Sequence, residues 1–322
     1  MSSARIKFIL FNIFIILISC NNYDNYKDSI VASSGRDAYI ININDRNINK
    51  KNKIYYKNHS ILEPFYSISL KSILMPEDDL FKKDMTIYGI KNISTLYYLM
   101  GEIDAHRIFW PSVSPNGQYL SFLSHNDDFY KRLIIYDMIK KQIVFSDKSI
   151  RICGKMHGYG HRPVWLPNSR GIICDTIING KEFLLLLEIK GGKKFTSRQL
   201  CPGFAPAISE NWNIAFFDRD NIETSKISIC VGQYNLEYKT IDNIKQIYRS
   251  RYIVRHLSPA WSKQNKNYLY FIKYKFAILD TTEPHELCVI NSENKKIFHP
   301  DKNNILKYSL YFGFDTLPET YN

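Results

Sequence analysis

The amino-acid sequence predicts an all-β protein, a β-propeller of six four-stranded blades. Two observations support this fold class. A strand–turn–strand pattern recurs along the chain, and each copy is followed by further short runs rich in strand-forming Val, Ile, Tyr and Phe. Four copies begin at Pro111, Pro163, Pro206 and Pro259, which are 52, 43 and 53 residues apart. Spacings of this size suit propeller blades and are too long for leucine-rich or ankyrin units.

Each copy predicts an inner strand, a tight turn and a second strand. The first copy reads PSVSPNGQYLSF, in which Asn116-Gly117 tolerates the positive φ that such a turn requires. The other copies read PVWLPNSRGIIC, PAISENWNIAFF and PAWSKQNKNYLYF. A third strand is predicted after each copy, at residues 133–136, 183–189, 226–231 and 286–290, usually with a fourth behind it.

The first copy is similar to the signature of TolB-like repeats, Pro-x-Trp-Ser-Pro-Asp-Gly-x-x-Ile-Ala-Phe. The second and fourth copies are looser matches, Asn116 and Asn168 replace the usual Asp, and the resemblance covers residues 107–300. The resemblance implies a propeller that binds envelope proteins such as peptidoglycan-associated lipoproteins. TolB carries a separate domain ahead of its propeller, and we expect none in this chain. A likeness of this kind is fold-level analogy, because function depends on the site.

The two ends of the chain are predicted to complete one blade together. Residues 29–32, 38–43 and 53–56 supply three strands, a further blade opens at Pro64, and residues 308–314 supply the missing innermost strand. Such a C-terminal strand would close the ring and remove an open sheet edge. The predicted propeller therefore spans residues 29–314, with a tail at 315–322, and a seven-bladed ring is the structural alternative.

The N-terminus predicts export and lipid anchoring. Arg5 and Lys7 precede an apolar run at residues 8–18, which is the layout of a secretory signal peptide. Residues 17–20 read LISC and resemble a lipobox, which implies cleavage after a signal peptide at 1–19 and lipidation of Cys20. Residues 20–28 would then form a linker. The resulting protein would be membrane-anchored in the cell envelope, facing the periplasm or the exterior.

Composition narrows the class of partner. The net charge is +12, so an acidic protein of the envelope or an acidic glycan is favoured, although a solvated basic coat explains the charge equally well. Nucleic acid is not expected, because no nucleic-acid-binding signature accompanies the charge. We therefore predict a monomeric binding or scaffold protein that needs no cofactor.

Four histidines occupy the links between repeats, which a ring would bring to the channel mouth. The predicted rim of the binding site consists of His106, His157, His161, Arg162 and His256. Neutral imidazoles bind divalent transition metals, so His157, His161 and His256 are also metal candidates. The alternative function is consequently a metal-dependent carbohydrate-active enzyme, similar to a polysaccharide lyase or a glycosidase. The acids near blade entries, Glu63, Asp104 and Glu210, carry no motif for paired-carboxylate catalysis.

Two residue types are predicted to be structural. Trp110, Trp165, Trp212 and Trp261 lie at or near inner strands, where packing between blades is the expected role. Cys174, Cys230 and Cys288 lie in apolar strand-like runs and are expected to be small buried hydrophobes.

Overall fold

The computed structural model confirms that the protein is all-β over the residues it describes. These are residues 27–33, 37–44, 47–56, 60–61, 65–69, 71–78, 86–89, 107–125, 131–146, 161–190, 194–221, 224–250, 254–255, 259–275, 286–300 and 314–317. Every regular element in these ranges is a strand, and the strands form six antiparallel sheets. Within the same ranges there is no helix with the length and apolar character that a membrane span requires.

The first three sheets are numbered in chain order. Sheet 1 contains β1 (Lys27–Ser33), β2 (Asp37–Asn44), β3 (Asn47–Tyr56) and the C-terminal β25 (Phe314–Leu317). Sheet 2 contains β4 (Ser60–Ile61), β5 (Phe65–Ser67), β6 (Ser72–Asp78) and β7 (Thr86–Gly89). Sheet 3 contains β8 (Arg107–Val113), β9 (Tyr119–His125), β10 (Lys131–Asp137) and β11 (Gln142–Ser146).

The remaining sheets follow the same plan. Sheet 4 contains β12 (Val164–Trp165), β13 (Gly171–Ile178), β14 (Lys181–Lys190) and β15 (Lys194–Pro202). Sheet 5 contains β16 (Phe204–Ile208), β17 (Asn213–Asn221), β18 (Thr224–Asn235) and β19 (Thr240–Arg249). Sheet 6 contains β20 (Val254–Arg255), β21 (Ala260–Trp261), β22 (Tyr268–Lys275), β23 (Glu286–Asn291) and β24 (Ile297–Phe298). All four third strands predicted after the repeat copies lie within β10, β14, β18 and β23.

The C-terminal strand pairs with the N-terminal strand, at a position later in the chain than predicted. β25 runs antiparallel to β1, with Ala32 opposite Phe314 and Ser29 opposite Leu317. The prediction of residues 308–314 followed strand propensity, which favours their aromatic residues over the sequence FDTL. The strand therefore extends into the predicted tail at 315–322. At the other end, β1 begins at Lys27, two residues before the predicted propeller boundary.

In sheet 1 and in sheets 3 to 6, apolar residues are buried on both faces, which explains the continuous apolar runs in the sequence. Successive residues of a strand point to opposite faces. In β13, Ile172 packs with residues of sheet 3, whereas Ile173 packs with residues of sheet 5. In β22, Phe271 packs towards sheet 5 and Tyr270 towards sheet 1. Each apolar cluster is thus built from two neighbouring sheets.

One edge strand of each sheet lies next to the equivalent strand of its neighbours, and we call these six strands, β25, β5, β8, β12, β16 and β21, the first strands. The contacts run from β25 to β5, then to β8, β12, β16 and β21, and β21 in turn contacts β25. Turns add hydrogen bonds between neighbouring sheets: the Asn116 amide donates to Ser169 Oγ at 3.0 Å, and Asn265 Nδ2 donates to the Lys27 carbonyl at 2.7 Å. Asp28 accepts a short hydrogen bond from the Ser262 hydroxyl. Because these anchors of β1 are polar, hydrophobic patterning did not reveal its first two residues.

A second recurring turn connects the third and fourth strands of three sheets. Asp137, Asn235 and Asn291 each accept hydrogen bonds from the backbone amides two and three residues later. The lysine four residues after each of them, at positions 141, 239 and 295, has a φ between 53° and 59°. This Asx-x-x-x-Lys repeat lies at a variable distance from the leading prolines, so aligning the copies on those prolines does not reveal it.

Candidate binding cavity between the first strands

A cavity of about 210 Å³ lies between the first strands of sheets 2 to 6. Its walls come from β5, β8, β12, β16 and β21 and from the turns that follow them. The residues that line it are Tyr66, Ile68, Ser112, Val113, Pro115, Arg162, Val164, Trp165, Pro206, Ala207, Ile208, Ser209, Glu210, Asn211, Pro259, Ala260, Trp261, Ser262, Lys263 and Lys266. Because five separate repeats contribute to one wall, the cavity is a product of the tertiary fold and has no contiguous sequence motif.

Two tryptophans in equivalent repeat positions fix the cavity wall. The indole N–H of Trp165 donates to the Ser112 carbonyl at 3.0 Å, and that of Trp261 donates to the Ala207 carbonyl at 3.3 Å. In each case the acceptor follows the leading proline of the preceding repeat. Trp165 also stacks on Tyr119, with 5.7 Å between ring centroids. Both tryptophans are buried, so the predicted packing between sheets is confirmed for them.

The other two predicted tryptophans lie elsewhere. Trp110 is buried in the cluster shared by sheets 3 and 4, which also agrees with the prediction. Trp212 lies in the turn between β16 and β17 and stacks on Tyr234 of its own sheet, with ring centroids 5.8 Å apart. Its φ of 64° is a left-handed backbone conformation. Trp212 lies near the inner strand β16 and packs against the apolar cluster shared by sheets 4 and 5, as predicted.

Cationic side chains outnumber acidic ones on the cavity lining. Arg162, Lys263 and Lys266 line it together with one carboxylate, that of Glu210. The Lys263 ammonium lies 5.6 Å from the centre of the Tyr66 ring, which places a cation of sheet 6 beside an aromatic ring of sheet 2. Burial raises the pKa of the Tyr66 hydroxyl. An anionic group that entered the cavity would find cations, polar turn atoms and aromatic surface within reach.

His161 is buried next to the cavity wall and is absent from its lining. Its Nδ1 lies 2.7 Å from Asp175 Oδ2, and its ring lies 5.2 Å from the ring of Phe204 in sheet 5. The Arg219 guanidinium lies 4.4 Å from the centre of the same phenylalanine ring and pairs with Glu182, with Nε and Oε2 2.7 Å apart. These contacts tie the start of sheet 4 to sheet 5.

The predicted rim residues are therefore distributed as follows. Arg162 lines the cavity, and His161 lies buried beside it. Of the acids near the repeat entries, Glu210 lines the cavity. The other predicted residues lie outside the described residues, namely His106, His157, His256, Cys20, Glu63 and Asp104. His161 is the one described member of the proposed metal set, and its Nδ1 is engaged by Asp175.

Sequence reasoning missed the contribution of the turns between first and second strands. The sequence predicted a site at the links that precede the first strands. In the structure, the turns that follow the first strands also line the cavity, through Asn211, Lys263 and Lys266. A signal was present, since Lys263 and Asn211 align with Pro115 and Asn116 in the turn of the first copy, and Lys266 lies in the longer turn of the fourth copy.

The buried cysteines contribute no reactive thiol to the cavity. Cys174, Cys230 and Cys288 are buried, as predicted. Burial raises the pKa of Cys174 far above its usual range, and burial together with the Asp218 carboxylate raises the pKa of Cys230 to about 12. A thiol with such a pKa stays protonated at neutral pH and is a poor nucleophile.

Comparison with solved structures identifies the class of fold. TolB from Acinetobacter baumannii superposes with a TM-score of 0.61 at 11% identity, covering 91% of this chain and 67% of that one. The TolB structure from Agrobacterium tumefaciens gives a TM-score of 0.52 at 12% identity, covering 86% of this chain and 89% of that one. No protein-family profile and no curated protein matches the sequence.

A third similarity extends to a larger enzyme. A puromycin-hydrolyzing peptidase from Mycobacterium tuberculosis gives a TM-score of 0.50 at 11% identity, and the match covers 84% of this chain but 41% of that one. The fold is thus a TolB-like β-propeller with a basic cavity between its first strands. At these identities the comparisons establish the fold alone, in agreement with the repeat signature in the sequence.

Proposed function

We propose that this protein is a lipid-anchored binding protein of the cell envelope, which recognises an acidic partner at the cavity between the first strands of a TolB-like propeller. In this proposal the six sheets are the six blades of one ring, closed by β25. The partner is an acidic envelope protein or an acidic glycan, and the protein acts as a monomer.

The observation that carries the proposal is the convergence of five repeats on one basic cavity. Arg162, Lys263 and Lys266 come from sheets that are far apart in sequence, and they line a cavity whose wall is held by the Trp165 and Trp261 hydrogen bonds. A rigid scaffold that presents charged turns is a common basis of recognition. Cations concentrated in a concave site attract an anionic ligand more strongly than the same charges spread over a surface.

Site-specific photo-crosslinking tests the position of the binding site. A photoreactive amino acid at Asn211, which is exposed on the cavity, should yield a discrete crosslinked species in intact cells. The same amino acid at Gln199, an exposed amide on the outer strand β15, should yield none and is the matched control. Equal crosslinking from both positions would contradict a site at the cavity.

Charge reversal tests the chemistry of the partner. Combining Lys263→Glu with Lys266→Glu should abolish the Asn211 crosslink, because the cavity would then repel an anion. Combining Lys194→Glu with Lys245→Glu changes the net charge equally at exposed outer-strand positions and should leave the crosslink intact. If both double variants behave alike, the binding depends on overall charge and the cavity is not the site.

Membrane fractionation tests the anchor independently of the binding site. Cys20→Ala removes the sulfur that a lipobox cysteine uses for acylation, so the protein should become soluble or remain an unprocessed precursor. If the variant were processed and still stayed with the membranes after a high-salt wash, the lipidation proposal would be refuted.

A further inference from the structure

Three metal-ligating side chains meet on one face of sheet 6, away from the cavity. Glu286 and Cys288 lie on β23, and His299 follows the last residue of β24. Val289 pairs with Phe298 and Ile290 with Ile297, so continuing this antiparallel register places His299 opposite Cys288. Residues two apart on a strand share a face. Glu286 is therefore the diagonal neighbour of His299 on the same face.

The potential ligand atoms lie close together. His299 Nδ1 is 2.9 Å from Glu286 Oε1 and 3.5 Å from Cys288 Sγ, and all three ligand atoms lie within 4.8 Å of one another. The Cys288 thiol also lies 3.8 Å from the Glu286 carbonyl oxygen. Cys288 is 1% exposed, whereas the Glu286 and His299 side chains are each 44% exposed. The cluster thus has a buried sulfur and two ligands open to solvent.

The contacts of His299 do not form a linear hydrogen-bonded chain from thiol to carboxylate. Both short contacts of His299 involve the same nitrogen, Nδ1. If Nδ1 carries a proton, it can direct that proton well at only one of the two acceptors. If Nδ1 is unprotonated, its lone pair faces the carboxylate. A nucleophilic Cys–His–Glu relay is excluded for the same reason, because it requires the thiol and the carboxylate to contact opposite nitrogens of the ring.

We propose that Glu286, Cys288 and His299 bind one divalent transition-metal ion of the zinc class. Thiolate, imidazole and carboxylate are the three ligand types that Zn²⁺ takes in proteins, and one thiolate with one carboxylate neutralises a divalent charge. Tetrahedral bonds of normal length separate the nitrogen and sulfur ligands by about 3.6 Å, close to the observed 3.5 Å. The nitrogen–oxygen separation must widen to about 3.4 Å, which rotation of the exposed Glu286 side chain permits.

The proposed ion fastens the outer edge of sheet 6. β24 is only two residues long, so few backbone hydrogen bonds hold the outermost strand to β23. An ion bound by Glu286 and Cys288 on one side and by His299 on the other would connect the two strands. Water would complete the coordination, since the site is partly exposed. Binding releases the proton of the Cys288 thiol to solvent, so occupancy should increase with pH.

Cobalt substitution provides a direct test. The full chain, purified in detergent with a non-thiol reductant, should bind one Co²⁺ and develop a sulfur-to-cobalt charge-transfer band together with visible absorption typical of tetrahedral coordination. Cys288→Ser should abolish the charge-transfer band, and His299→Gln should weaken Co²⁺ binding at least about tenfold. Cys230→Ser, which changes a buried third-strand cysteine of sheet 5, is the matched control and should leave both signals intact.

Thermal unfolding provides a second readout. The melting temperature of the wild type and of Cys230→Ser should increase with Zn²⁺ concentration, because a ligand that binds only the folded state stabilises it. In Cys288→Ser and His299→Gln the increase should be lost. The proposal would be overturned if the wild type bound no Co²⁺. It would also be overturned if the charge-transfer band persisted in Cys288→Ser, or if cobalt binding required His157 or His161 and did not require His299.

Discussion

A single methyl group added at Gly203 should lower the stability of the fold. It lies between β15 and β16, where the chain passes from sheet 4 to sheet 5, and its amide donates to the Glu182 carbonyl at 3.1 Å. Its φ is +142°, and a Cβ atom added there would lie 2.5 Å from Cδ2 of Phe216 and 3.0 Å from the Phe217 carbonyl oxygen. Phe216 is 2% exposed, so the ring is surrounded by other atoms and has little room to move.

The expected cost of Gly203→Ala follows from this geometry. Carbon atoms pack best at about 3.5–4.0 Å, so the added Cβ would be at least about 1 Å too close to the ring. Overpacking of this kind costs about 1–3 kcal/mol, and an unfavourable φ for alanine adds about 1–3 kcal/mol. We expect a loss of about 3–4 kcal/mol in the free energy of unfolding. With an unfolding entropy of about 2.1 cal/mol/K per residue over about 290 residues, the melting temperature should fall by about 5–7 °C.

Gly180→Ala is the matched control for this prediction. Gly180 has a φ of +76°, and an added Cβ would have no atom within 4 Å. Alanine there should cost only about 1 kcal/mol, which is the penalty of a left-handed backbone. Urea titration and thermal unfolding of both variants measure the difference. A melting temperature of Gly203→Ala within about 2 °C of that of Gly180→Ala would show that the added methyl group is accommodated without the expected clash.

Three other perturbations have defined outcomes. Trp261→Phe removes the hydrogen bond to the Ala207 carbonyl and should lower the free energy of unfolding by about 1–2 kcal/mol in a urea titration; a change below about 0.5 kcal/mol would mean that the bond contributes little. Hydrogen bonds from Asn235 and Thr240 lower the pKa of Asp242, so its stabilising effect is present above the usual aspartate pKa and is lost as pH falls through the lower folded value. Asp242→Asn should therefore flatten the acid side of the stability profile, and an unchanged profile would contradict this account. Deleting residues 314–322 removes the strand partner of β1 and should lower the melting temperature markedly, whereas deleting 318–322 should not; equal melting of the two truncations would show that β25 is dispensable.

The repeats could be predicted because the central strands of the sheets, such as β13 and β23, are buried on both faces. Such strands give continuous apolar runs, and turn residues between them mark the boundaries, as in the segment from Pro111 to Phe122. The strand β6, by contrast, spans Ser72–Asp78 and contains Pro76. Proline removes a backbone donor and argues against a strand, so this segment gave no strand signal.

The pairing of the two chain ends and the geometry of the cavity were harder to predict, because both depend on contacts between residues that are far apart in the sequence. The register of β25 against β1 is a property of two chain ends, and the sequence FDTL is a weaker strand signal than the aromatic run before it. The cavity is assembled from turns whose residues differ between copies, namely Pro115, Glu210 and Lys263. The Glu286, Cys288 and His299 cluster depends on the β23–β24 register, which a search along the sequence does not reveal.

The sharing of every apolar cluster between two neighbouring sheets limits how such a chain can change its number of repeats. Loss of sheet 5, for example, would uncover Ile173 of sheet 4 and Phe271 of sheet 6 at the same time. The two newly exposed surfaces belong to different neighbours and have different shapes, so they would not fit each other without repacking. A change in repeat number therefore requires simultaneous changes on both sides of the altered repeat, whereas the turns at the edges of the sheets are free to vary in length.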